Sequence, residues 1–536
     1  MSRPVLINLP TNRTGLWFWF WQRWPIMLPG ALALLLMLGI SVMAFVALAG
    51  WGDAGVDTTL LQEPWFWRVL QFSIWQALLS ALLSVLLALP VARALALDQR
   101  LPGKSWFLRW CLLCFVMPSL VLITGLVALF GRSGLLTPLL PDGWNLYGLS
   151  GILLAHVFLN LPFALRVFTF QWQSIPQGAW KMSAQLGLSG WQRFRLVELP
   201  ALRAVVPAVT GFVFLLCFNS FAVVLALGGG PRATTLEVAI FQALKYDFNP
   251  PEALFLAWTQ LLVAGGLYLM FSRWGGLQWL TPLQPDSGWR PHLSRAGRIG
   301  GGFAYLLCVL FLSLPVLVLI PTALQANLSA VPWQEMLQVS LRSVILAISA
   351  ACLALLLALA VLSWWRRFAS PTLRRLIETA ALHHLVIPGM VLSVGVYVML
   401  MPWLNWQEWG WLAIILLNAL VALPFVFQQL KPRVFEYDAN YRPLLADLGL
   451  GAWPHWKLVY GPFLKPVLQR VFAISFVLAL GDFAIFGIFG NDEWRTLPWM
   501  IYTLSGSYRL AEAALASLLL LMLALVALRL LERNHA

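Results

Sequence analysis

A 22-residue stretch occurs twice in this chain, 262 positions apart, and the duplication limits the fold to two halves of one design. Residues 184–205 and the copy starting at Ala446 share ten positions without a gap. Among them are the pairs Ala184/Ala446, Leu186/Leu448, Gly187/Gly449, Trp191/Trp453 and Pro200/Pro462. The same offset aligns Leu161-Pro162-Phe163 with Leu423-Pro424-Phe425, and Phe221-Ala222 with Phe483-Ala484.

Around the two copies lie apolar runs near twenty residues, the length a bilayer-spanning helix requires. Twelve can be counted: 27–49, 72–92, 110–130, 148–170, 204–227 and 252–271, then 300–323, 340–363, 379–401, 410–429, 467–490 and 513–531. Only 10% of the 536 residues are charged, against about 25% in soluble domains. The expectation is an all-α polytopic membrane protein, with about 12 transmembrane helices as two homologous six-helix halves. Its parts would be residues 1–66, an N-terminal segment with the first helix; 67–272, the first repeat; 273–335, a cytoplasmic linker and the seventh helix; and 336–531, the second repeat. The linker is marked by Arg273, Arg290, Arg295 and Arg298 with Pro282, Pro285 and Pro291.

Basic residues set the orientation. With the N-terminus inside, cytoplasmic segments hold 28 of the 35 Lys and Arg, so both termini and both repeated stretches are expected in the cytoplasm. The net charge of +14 is therefore a topology signal, scattered over short loops rather than gathered on one nucleic-acid-binding face. The aromatic run Trp17-Phe18-Trp19-Phe20-Trp21 suits a membrane interface. All five cysteines fall in expected spans, where apolar packing is their role; Cys111 and Cys114 have CxxC spacing but no redox or zinc setting. Gly103-Lys104-Ser105 has the end of a phosphate-binding loop but Asp98 in place of its first glycine, so it cannot wrap a phosphate. No catalytic constellation, metal site or cofactor site is expected, and the chain does not read as an enzyme.

The repeated stretch has a legible local structure. Gly187 sits where a helix would stop, and Ser189-Gly190-Trp191-Gln192 fits a capping box for the next helix. The second copy keeps Gly449 but has Gly451 and Pro454 instead of the box. A loop that resembles its copy better than most surrounding spans do is a functional hint, because loops ordinarily drift. A docking surface is favoured over a passive duplicated loop.

These residues carry a family resemblance. Gly187, Val197 and Leu199-Pro200 have the spacing of the cytoplasmic signature of binding-protein-dependent ABC importer permeases, which the chain resembles. The family's Glu-Ala-Ala start is absent: Lys181-Met182-Ser183 and Pro443-Leu444-Leu445 stand there, and Gly461 replaces the usual Leu in the second copy. The resemblance implies that 184–191 and 446–453 form coupling helices that seat in a cleft of a separate cytoplasmic ATPase, present in two copies. On this reading Ala184, Leu186, Gly187, Trp191 and Pro200, with Ala446, Leu448, Gly449, Trp453 and Pro462, are ATPase-coupling residues. Leu227 through Glu237, Gly481-Asp482-Phe483, Gly490-Asn491-Asp492 and Gly506-Ser507-Tyr508-Arg509 narrow the likeness to fused, two-repeat thiamine permeases of Gram-negative bacteria. Such a permease moves thiamine across the inner membrane after delivery by a periplasmic thiamine-binding protein, with ATP used only by its ATPase subunit. Fused ferric-iron permeases share the layout and are the alternative.

Charge within a span suggests function by default. Asp482 lies near the outer end of the eleventh run, and its counterpart is Ser220, beside Asn219. With Phe221 and Phe483 these form the expected substrate pathway, suited to a cation; capping a backbone break at Gly481, or pairing with Arg495, is the bland role for Asp482. Arg232, Glu237, Asp492, Glu493 and Arg495 are candidate docking charges for the binding protein, although loop charge is more often plain solvation. His383 and His384 are expected on different helix faces, which argues against a shared metal. The rival class is a self-sufficient secondary transporter, which twelve spans would also suit. It predicts buried charges along several spans and leaves the duplicated glycine turn unexplained.

Overall fold

The computed structural model describes residues 13–532 apart from 51–57, 99, 204, 231–232, 273–288, 290, 292, 330, 369, 386, 442–453 and 455. Most of the expected linker thus lies outside the described residues. Every described regular element is helical. This follows from the apolar composition, since a segment in lipid must satisfy its own backbone N–H and C=O groups and a helix does so within the segment.

The elements of the first half are α1 (Arg13–Gly50), α2 (Pro64–Leu97), α3 (Lys104–Val116), α4 (Ser119–Phe130), α5 (Leu149–Gln173), α6 (Gln177–Gln185), α7 (Gly190–Arg193), α8 (Leu199–Leu202), α9 (Val205–Phe218), α10 (Ala222–Leu227), α11 (Leu236–Lys245) and α12 (Pro250–Ser272). The second half has α13 (Arg295–Leu317), α14 (Leu319–Ala323), α15 (Trp333–Trp365), α16 (Pro371–Leu382), α17 (Gly389–Leu400), α18 (Trp406–Asn440), α19 (Gly461–Leu480), α20 (Ala484–Phe489), α21 (Leu497–Gly506) and α22 (Leu510–Glu532).

All twelve expected runs fall on helices, but not all are unbroken spans. Among the described residues eight helices are long and apolar enough to cross a membrane, or ten if each bent pair counts as one. The third run turns by 102° between α3 and α4. Proline causes this: it removes a backbone donor and pushes the preceding residue out of helical geometry, and Met117 before Pro118 is extended at φ −61°, ψ 135°. The ninth run is also interrupted at a proline: Pro388 is extended, at φ −60°, ψ 141°, and α17 starts after it. The fifth and eleventh runs stop at Phe218 and Leu480, cross a short irregular segment, and resume as α10 and α20.

Spatial grouping cuts across the two sequence halves. One unit comprises Met1–Val56, Ser340–Arg495 and Leu523–Ala536; the other comprises Asp57–Val339 and Thr496–Met522. Within the first unit, α1 packs on α17. Within the second, α13 packs on α2 and α4. The leading helix of each sequence half is therefore held by the helices of the other half. Both contacts are made at a glycine. A Cβ on Gly395 of α17 would meet Ala44 Cβ of α1 at 2.6 Å, and one on Gly125 of α4 would meet the Pro315 carbonyl oxygen of α13 at 1.9 Å. Four of the cysteines are buried and Cys352 is exposed, all unpaired.

Candidate functional site

The first repeated stretch has the local structure its residues dictate. Helix α6 ends at Gln185, Gly187 takes φ +61°, and the Leu188 N–H reaches back to the Ser183 carbonyl at 3.1 Å. This is the glycine-terminated helix end in which a left-handed residue lets the chain satisfy its last carbonyls. Ser189 then caps α7. Its hydroxyl accepts from the Gln192 N–H at 3.3 Å, and the Gln192 Oε1 accepts from the Ser189 N–H at 2.9 Å. The predicted capping box is present. Held by two caps, the turn displays an apolar face: Leu186 is 68% exposed, Trp191 71% and Leu196 60%. Ala184, Gly187 and Pro200 are also exposed. In the second copy Ala446, Leu448, Gly449 and Trp453 lie outside the described residues, and Pro462 is exposed.

Each copy continues into a π turn, Phe194–Glu198 and Trp456–Tyr460, at the same offset as the repeat. Such one-turn bulges are uncommon and recur at functional sites. Glu198, in the first, is fully buried. It accepts from Arg93 Nε at 2.6 Å, from Arg93 Nη2 at 2.8 Å and from Trp172 Nε1 at 3.0 Å. Sequence reasoning missed this ion pair. The signal was there, however: an arginine and a glutamate each border a long apolar run.

The fifth and eleventh runs break at matched places. Asp482 Oδ1 accepts from the Ile485 N–H and Oδ2 from the Phe486 N–H, both at 3.2 Å, so its carboxylate caps α20. Asn418 Nδ2 donates to Oδ2 at 3.1 Å. Arg495 pairs instead with Asp492, at 2.7 Å. In the first half Asn219 and Ser220 are half-buried at the corresponding break. Gln260 Nε2 there donates to Glu237 Oε1 at 2.7 Å and lies 3.3 Å from Asn219 Oδ1. Glu237 is 1% exposed, which removes it from the expected outer docking set: a buried carboxylate offers no charge to a partner. It shares the Gln260 amide with Asn219 instead. The rings of Phe221 and Phe483 are buried as well, at 4% and 2%, and Phe221 makes an edge contact with Phe241 rather than facing open space. Asp492 and Glu493 are exposed, and Arg232 lies outside the described residues.

Two polar groupings inside apolar runs also escaped the sequence reading. Ser80 Oγ lies 3.1 Å from His156 Nδ1, and Asn160 Nδ2 donates to the His156 carbonyl and to Cys217 Sγ. His156 is the repeat counterpart of Asn418, so the two halves place a polar side chain at one level of the same helix. The histidines depart from expectation. They sit in a tight turn, His383–Leu385, rather than in an α-helix. There the two rings lie 3.9 Å apart, and their Nε2 atoms converge on Ser41 Oγ at 2.8 and 3.4 Å.

Comparison with known proteins gives a consistent pattern. Residues 84–273 match the family described as binding-protein-dependent transport system inner membrane component. The chain is 37% identical over 523 residues to the thiamine transport system permease protein ThiP of Salmonella typhimurium, covering 95% of this chain and 96% of that protein. It is 37% identical over 522 residues to the same-named protein of Escherichia coli, with the same coverage. To that of Brucella abortus it is 34% identical over 523 residues, 95% of each chain.

Proposed function

We propose that this chain, which belongs to the family of thiamine transport system permease proteins, is the subunit through which thiamine crosses the inner membrane in an ATP-driven import system. Its partners are two copies of a separate ATPase on the cytoplasmic side and a periplasmic thiamine-binding protein on the other. The observation that carries the ATP-coupled reading is the doubly capped turn exposing Leu186, Trp191 and Leu196. Apolar surface held rigidly outward in a hydrophilic loop is a surface awaiting a partner. The excess of Lys and Arg in the same segments of the sequence supports a cytoplasmic side for that turn, its copy and both termini.

Import then proceeds mechanically. ATPase closure drives the coupling residues Ala184, Leu186, Gly187, Trp191 and Pro200 toward their copies Ala446, Leu448, Gly449, Trp453 and Pro462. The spans attached to them rock and open the pathway alternately to either side. ATP is bound and hydrolysed only in the partner. The helix breaks at Asn219-Ser220-Phe221 and Asp482-Phe483 lie on that pathway, where a carboxylate favours a cationic solute. Asp492, Glu493, Arg495 and Arg232 meet the binding protein.

The test is uptake of radiolabelled thiamine by a thiamine-requiring bacterium that lacks its own permease, expressing this chain with the ATPase and binding-protein genes. Saturable uptake that needs both partners is the expected result. Uptake persisting without the ATPase would identify a self-sufficient transporter, and none with the protein in the membrane would mean another solute. In the same assay Asp482→Asn, which keeps the side-chain shape and one of the two cap acceptors but removes the charge, is expected to lower uptake about tenfold with a small drop in protein level, whereas Asp482→Ala loses the cap entirely, about 1 kcal/mol of stability. Equal uptake per folded molecule in both variants would leave Asp482 a cap alone.

A further inference from the structure

An ATPase that moves the exposed turn does no transport unless the movement reaches the spans. The structure places one charged joint where that must happen. Glu198 is the last residue of the π turn that follows the docking face, and its carboxylate is shared by the Arg93 guanidinium at the end of α2 and the Trp172 indole at the end of α5. A forked, two-bond arginine–carboxylate pair is the most directional ion pair a protein can build. With the carboxylate fully buried, it cannot exchange its partners for water.

The second half also brings an arginine to this point, although not the repeat counterpart of Arg93, which is Leu355. Arg366, which follows the end of α15, forms a two-bond pair with Asp438 of α18, and its guanidinium lies over the Tyr460 ring at 5.1 Å and the Tyr437 ring at 5.8 Å. Tyr460 holds the repeat position of Glu198, at the end of the second π turn. In each half, then, an arginine from the end of the second long helix grips the last residue of the π turn. The grip is an ion pair in one half and a cation–π contact in the other. In both halves the contact is made at the end of the π turn that leads into the following span.

We propose that Arg93–Glu198 and Arg366–Tyr460 are the joints that carry the movement of the coupling turns into the transmembrane helices. Arg93 and Glu198 are positioning residues for transport, and the first-half joint is the stiffer. This rests on the reading of the turns as ATPase-docking surfaces, and the experiment separates the two. The complex of chain, ATPase and binding protein is reconstituted in liposomes, and thiamine accumulated per ATP hydrolysed is measured. The variants are Glu198→Gln, Tyr460→Leu and the double replacement Arg93→Met with Glu198→Leu. An apolar pair of similar volume commonly keeps a fold that a lone buried charge would lose, so the double variant tests the joint in a folded chain. Its ATPase is expected to co-purify and to hydrolyse at near the normal rate, while thiamine moved per ATP falls about tenfold, within the usual range of coupling between sites. Glu198→Gln is expected to fall less, and Tyr460→Leu by only about twofold to threefold, a cation–π contact being the weaker grip. An unchanged ratio in the double variant overturns the joint. Failure of the ATPase to co-purify with the unaltered chain overturns the docking reading instead, and the joint with it.

Discussion

A chain carrying Gly187→Glu and Gly449→Glu is expected to reach the membrane in normal amount, to lose co-purification of the ATPase, and to import thiamine at background rate. Gly187 holds φ +61°, where a residue with a Cβ is strained by about 1–2 kcal/mol. The fold should survive, because the added Cβ meets no atom within 4 Å and the turn is exposed. Docking should not. A carboxylate would stand beside Leu186 and Trp191, and covering it with a partner would leave a charge desolvated and unpaired, at a cost of several kcal/mol. Every 1.4 kcal/mol is about a factor of ten in affinity, so the loss should be complete at cellular concentrations. Gly449 lies outside the described residues and is chosen because the repeat matches it to Gly187. Gly187→Ala carries the strain without the charge and should retain part of the uptake. Normal uptake by the double glutamate variant would remove the turns from the coupling machinery.

The second large effect concerns folding. Gly125→Leu and Gly395→Leu are each expected to reduce the folded protein recovered in mild detergent, Gly125→Leu more severely. At Gly125 the nearest obstacle is the Pro315 backbone, at 1.9 Å, and a main-chain carbonyl cannot rotate aside. At Gly395 the obstacles are Ala44 Cβ at 2.6 Å and its carbonyl at 2.8 Å, again with no flexible end to yield. Overpacking in a well-packed core costs about 1–3 kcal/mol and more where backbone must move. The control is Gly39→Ala, in α1, where a Cβ meets nothing within 4 Å and replacing glycine in a helix should gain stability. Size-exclusion profiles and thermal midpoints of the three variants decide the matter. Gly125→Leu behaving like Gly39→Ala would show that α4 and α13 do not meet closely.

Much of this was legible in the sequence, and the remainder has physical reasons for having been hidden. Apolar run length located every long helix, and cap chemistry located the turn at Gly187 and Ser189, because both signals are local. Which helix packs on which is not local. Nothing in the composition of α1 says that it belongs beside α17 rather than beside its own neighbours α2 to α5, and Gly395 differs on the page from no other glycine in a span. Backbone breaks misled in another way. Helical geometry puts His383 and His384 on different faces, and the tight turn before Pro388 brings them together instead. Glu237 reads as a candidate docking charge of an outer loop, yet α11 packs against α12 and buries it. Glu198 faces Tyr460 in the second copy, so the repeat does not mark it, although both residues lie in the grip of an arginine.

The exchanged leading helices have a consequence for biosynthesis. Ala44 and Gly395 stand about 350 residues apart, so at about 5–20 residues per second α1 enters the bilayer roughly 20–70 seconds before the helix it will rest on has been made. During that interval its packing face, with Gly30 and Ala44, has only lipid or the insertion machinery against it. Helix α13 has the opposite history, since α2 and α4 already await it when it emerges. One helix thus waits for its site while the other finds its site ready. Slowing or truncating synthesis anywhere between the two halves should therefore strand the first helix and leave it to quality-control proteolysis, while leaving the site for the second intact.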